Sequence, residues 1–108
     1  MKGEKVMNLT QAGAFNPDVK VFENSLRADT NIDRTDVGQY RAVLSIPVAN
    51  IENLQCEIFD NFTGEEDNYQ IKARVEDNDR IEIRTLKNGI PTDGLMQGTR
   101  FKIINYEN

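Results

Sequence analysis

Apolar and polar residues alternate along most of this chain, and helical periodicity is nearly absent. Val19-Lys20-Val21-Phe22-Glu23 reads as a strand. Tyr40, Ala42, Leu44 and Ile46 fall on one face of the next, and Leu54, Cys56 and Ile58 mark another. Tyr69, Ile71, Ala73 and Val75 alternate with Gln70, Lys72, Arg74 and Glu76, and Ile81 and Ile83 alternate with charged residues. Phe101-Lys102-Ile103-Ile104-Asn105-Tyr106 is apolar on both faces, which fits a buried strand or one that meets another chain.

Turn chemistry divides these runs. Asp77-Asn78-Asp79, rich in residues that tolerate left-handed backbone, joins 69–76 to 80–86 as a hairpin. Lys72, Arg74, Glu82 and Arg84 then share an outer, solvated face. Asn88-Gly89 is a second turn signal, and Pro91, which cannot donate to a ladder, puts its segment at an edge or in a loop. Asn16-Pro17 and Ile46-Pro47 mark further boundaries, and Val48–Asn53 has room for one helical turn. The expectation is an all-β fold: a single small antiparallel β-sandwich or barrel of about seven to eight short strands. With no internal repeat, low-complexity tract or linker, residues 1–108 are read as one domain.

Composition narrows the function classes. Hydrophobic residues make up 38% and charged residues 29%, so the expected core is thin and the surface highly charged. That balance suits a small sandwich or barrel, and also a protomer that gains stability from an oligomeric neighbour. Net charge is −5, and no basic stripe exists to neutralise phosphates, so neither nucleic acid nor an anionic membrane is an expected partner. The Val6–Thr10 run is too short and polar for a signal peptide, which points to synthesis on the cytoplasmic side. A virion component assembled in a host cytoplasm has the same profile.

Catalysis is not expected. The chain has no histidine, so imidazole-dependent Ser and Cys nucleophile systems are excluded. Histidine-containing zinc sites are excluded too, and one cysteine cannot make a Cys₄ site or an intrachain disulfide. Cys56 alternates with polar residues and reads as a small buried core residue. A carboxylate hydrolase needs two acids across a cleft, and the spacing of the acids singles out no pair. Asp29-x-Asn31-x-Asp33 imitates the start of a calcium loop, but Arg34 holds the glycine position and Tyr40 the final glutamate position. The same residues fit a strand with Thr30 and Ile32 facing in, and neither cofactor nor metal is expected. The sequon-like Asn8-Leu9-Thr10 and Asn61-Phe62-Thr63 carry no weight without a signal peptide.

Arg34-Thr35-Asp36-Val37-Gly38-Gln39-Tyr40 can turn at Thr35–Gly38, with Gly38 supplying a positive φ. Tyr40 then starts a strand with its ring inward and its hydroxyl at the rim. With Asn16-Pro17, Glu23-Asn24-Ser25-Leu26, Asp93-Gly94-Leu95 and the final strand ending in Tyr106, this arrangement resembles small all-β proteins of bacteriophage and prophage virion modules. The likeness is to tail, fibre or capsid-decoration types of Bacteroidetes phages. Arg27 departs from it, standing where that pattern has glycine. The resemblance implies a non-enzymatic structural role, as a homo-oligomer in contact with other virion proteins.

Four residues are therefore candidates for interaction. Phe101, Ile104 and Tyr106 belong to the two-faced final strand, expected to present an unpaired edge for self-association. Phe62, in the loop Asp60-Asn61-Phe62-Thr63-Gly64, is the aromatic expected to be exposed. The alternative function is a small ligand-binding module taking carbohydrate near Phe62 or Tyr69.

Overall fold

A computed structural model describes residues 2–11, 16–59 and 68–106. Nine strands and one 3₁₀ turn follow in the order β1 (Gly3–Thr10), β2 (Asp18–Asn24), β3 (Thr30–Asp36), β4 (Gln39–Leu44), the turn Ile51–Asn53, β5 (Leu54–Phe59), β6 (Tyr69–Asp77), β7 (Arg80–Lys87), β8 (Ile90–Pro91) and β9 (Gln97–Asn105). They form two antiparallel sheets: a four-stranded one ordered β2-β1-β9-β5, and a five-stranded one ordered β3-β4-β7-β6, with β8 also on β7. The protein is all-β, with a sandwich-like layering of the two sheets.

Each sheet gives the core one face, because alternate residues of a strand point the same way. Met7, Leu9, Phe101 and Ile103 come from one sheet, and Tyr40, Ala42, Ile81 and Ile83 from the other; all are buried. Ile71, Ala73 and Val75 of β6 pack on this cluster while only partly buried, as befits an edge strand. The outer face of the β6–β7 hairpin carries Lys72 opposite Arg84 and Arg74 opposite Glu82, the expected arrangement. Its turn residues Asn78 and Asp79 do not use left-handed backbone, whereas Asn88 and Gly89 do, at φ of 53° and 78°.

Gly38 is required twice over. Its φ is 63°, and a Cβ there would lie 2.6 Å from the Thr85 carbonyl oxygen. Tyr40 turns its ring inward as expected, and the whole side chain, hydroxyl included, is buried. That hydroxyl donates to Asp93 Oδ1 at 2.6 Å and accepts from Gln11 Nε2 at 2.6 Å. The Gly38 N–H and the Arg34 guanidinium also donate to Asp93, at 2.9 Å and 3.1–3.2 Å. The end of β1, the β3–β4 turn and the 92–96 loop are thereby tied to one carboxylate. Burial pushes the Asp93 pKa up, but the donors from Arg34, Tyr40 and Gly38 outweigh it and hold the carboxyl below its ordinary value.

Two expectations are corrected. The strand count rises because of the two-residue β8 and because of β1, which the sequence pattern conceals. In β1 the inward positions are Lys5, Met7 and Leu9, and a lysine at an inward position hides the alternation. Lys5 is only 3% exposed, its Nζ donating to the Ala28 carbonyl at 2.8 Å.

The final strand is the second correction. β9 is not an edge: it pairs with β1 on one side and β5 on the other. Its apolar residues on both faces reflect a central position. Phe101 is wholly buried in the core, and Ile104 is covered on the outer face between Glu4 and Gln55. Its main-chain donors and acceptors are consumed, so it cannot add a strand from another copy.

Candidate functional site

Of the four residues named from sequence, Phe62 lies outside the described residues, and Phe101 and Ile104 are buried. Tyr106 is exposed, beyond the end of β9, with its N–H donating to the Asn53 carbonyl at 2.9 Å. The acidic run 65–67 also lies outside the described residues. Asn31 and Asp33 lie on exposed positions of β3, with Ile32 buried between them, so the calcium-like spacing is a strand. Among the described residues no group of three or more His, Cys, Asp or Glu could hold a metal ion. Cys56 is half-buried against the core, and burial, reinforced by the neighbouring Glu57 charge, pushes its thiol pKa up, away from the reactive thiolate.

An open trough of about 890 Å³ lies on the outer face of the four-stranded sheet. Register builds it. Residues paired across antiparallel strands share a face. One row across the sheet therefore runs Lys20, Asn8, Arg100, Phe59, and the next runs Glu23, Val6, Lys102, Glu57. Glu4 lies one step further along β1, its carboxylate 3.1 Å from Lys102 Nζ. That contact holds the Lys102 pKa above its ordinary value.

Phe22 shares this face with Lys20, two residues before it, and its ring lines the trough. Opposite β1, Val21 pairs with Met7 and Glu23 with Val6, so a β-bulge at Phe22 brings Glu23 onto the same face. The Arg100 guanidinium approaches the ring centroid to 4.8 Å and the Lys20 ammonium to 5.3 Å. Phe22 is on the edge strand β2 and Phe59 on the opposite edge strand β5, so three strand spacings of about 4.8 Å part them by roughly 14 Å. Phe22 keeps 51% of its surface exposed and Phe59 56%. Between them lie Asn8, Arg100 and Lys102 as donors and Glu57 and Glu4 as acceptors.

The sequence did carry a trace of this. Phe22 is an apolar residue in phase with Lys20 and out of phase with Val19 and Val21, which turns it away from the core. Phe59 ends a strand out of phase with Leu54, Cys56 and Ile58, so it must face away from the core. What the pattern does not contain is that the two rings share a sheet face, since that depends on β1 and β9 entering between them.

No protein-family model, curated protein or solved structure matches the chain.

Proposed function

We propose that this chain is a non-enzymatic binding and structural protein whose working surface is the outer face of the four-stranded sheet. The observation that carries the reading is the pair Phe22 and Phe59, both about half exposed above a trough of interleaved donors and acceptors. The core is complete without either ring. Two large apolar side chains facing water on one concave surface mark a place where something else binds. A role as a virion component, assembled in a host cytoplasm among other subunits, is the setting suggested by the sequence resemblance.

The test is the double substitution Phe22→Ser with Phe59→Ser. Binding-surface residues leave stability within about 0.5 kcal/mol, as substitutions outside the core do. A loss of more than about 2 kcal/mol in urea unfolding would show that the rings are structural and would overturn the reading.

A second reading, self-association, is favoured by β2. All its residues are exposed, and it is the outermost strand of its sheet. Val19 and Val21 point to the core side of the sheet yet keep 38% and 47% of their surface exposed. The subunit contact expected at the final strand thus moves to β2, with a second copy of this chain as its occupant.

A further inference from the structure

We infer that the trough between Phe22 and Phe59 is a binding subsite for a neutral oligosaccharide. The inference rests on reading this sheet face as the binding surface, and it goes further by naming the ligand class.

Three features choose a sugar. A pyranose ring has an apolar C–H face and a belt of hydroxyls that both donate and accept. The aromatic rings at the two rims match the first property. The floor matches the second, because the donors Arg100 and Lys102 on β9 lie between β1, which carries Glu4 and Asn8, and β5, which carries the acceptor Glu57. Each hydroxyl can then give and receive a hydrogen bond, the way polar groups fix a ligand's orientation in an otherwise shaped cleft.

Charge argues against the rivals. The trough is lined by Glu4, Glu23 and Glu57 against Arg100 and Lys102, leaving no cationic excess for a phosphate or carboxylate ligand. Lys102 is already engaged by Glu4 at 3.1 Å. The roughly 14 Å between the rims spans more than one sugar ring, so both platforms engage a single chain only if the ligand is an oligomer. Alternation puts Phe22 on the same face as Lys20, and the bulge adds Glu23 to that face beside it.

The experiment is an amide-shift titration of the isotope-labelled full chain with maltohexaose, cellohexaose and mannohexaose, each to about 10 mM, enough to saturate a site with Kd near 1 mM. The expected result is that at least one shifts Asn8, Phe22, Phe59, Arg100 and Lys102 and leaves Lys72 and Arg84 on the other sheet unmoved. Phe22→Ala and Phe59→Ala are each expected to weaken binding about tenfold or more, with Lys72→Ala unchanged. Binding of a neutral ligand is expected to hold between low and high salt, since no charge pair is screened. If the neutral sugars are silent while oligogalacturonate shifts the same residues, the ligand class is wrong and the surface stands. If every sugar is silent, the saccharide proposal falls. Shifts confined to the β6–β7 face would overturn both the ligand and the surface.

Discussion

The Tyr40 hydroxyl donates to Asp93 Oδ1 at 2.6 Å across 53 residues of chain, joining the strand after the first tight turn to the loop before the last strand. Arg34 sits on the same carboxylate, its Nη2 3.1 Å from Asp93 Oδ2. With the Gly38 N–H also donating to Asp93 at 2.9 Å, the carboxylate clasps the 92–96 loop to the β3–β4 turn. Tyr40→Phe is expected to cost about 1–2 kcal/mol, since it removes one donor from a mostly buried acceptor. Urea unfolding of the variant checks this, and an unchanged midpoint would mean the clasp is idle.

The same carboxylate makes stability pH-dependent. Its folded pKa lies below the unfolded value, about 3.9 for aspartate, so the unfolded chain binds more protons in that window. The clasp is therefore fully present above about pH 5 and is lost as pH falls through the folded pKa. Asp93→Asn removes this contribution. It is expected to lower stability at pH 7 and to flatten the acid limb of a plot of urea midpoint against pH. Parallel acid limbs in the two proteins would rule the assignment out.

Arg27 carries φ of 59°, a left-handed backbone at a residue with a Cβ. Its N–H donates to Asn24 Oδ1 at 3.0 Å, which holds the turn closed. The conformation costs roughly 1 kcal/mol in a non-glycine residue. Relief of that strain, less about 0.4–1 kcal/mol for the added freedom of the unfolded chain, leaves Arg27→Gly expected to stabilise by about 0–0.6 kcal/mol. Thermal unfolding reads the sign: a lower midpoint would show that the arginine side chain contributes more than its backbone strain costs.

Lys5 is a buried cation with its ammonium on the Ala28 carbonyl. Burial lowers its pKa, against a smaller upward pull from Asp29. A lowered lysine pKa means the charged form is disfavoured in the fold, so the penalty is present at neutral pH and is relieved as pH rises through the folded pKa. Lys5→Met keeps the length and removes the charge. It is expected to be neutral to about 1 kcal/mol more stable at pH 7, with the alkaline gain abolished. A clear loss of stability would show that the Ala28 contact outweighs the desolvation.

Self-association through β2 is read by light scattering after size exclusion at several protein concentrations. The expected result is a mass that rises with concentration in the native chain and falls to that of one chain in Val21→Lys. Val21 is 47% exposed, so the substitution leaves the core alone. A native chain that stays monomeric throughout would end this reading and leave the trough as the working surface.

Period-two faces, the Asn88-Gly89 hairpin, the glycine at position 38 and the inward ring of Tyr40 were all readable from residues alone. Each depends on local chemistry: the side-chain period of an extended backbone, and the φ values a residue tolerates. Strand order was not readable, because backbone donors and acceptors are the same at every residue and pair with whichever strand arrives. A strand apolar on both faces looks alike in sequence whether it lies between two neighbours or at an interface. Only the tertiary pairing put β9 between β1 and β5, and so buried Phe101 and Ile104. The same pairing set Phe22 and Phe59, 37 positions apart in the chain, on the two rims of one trough.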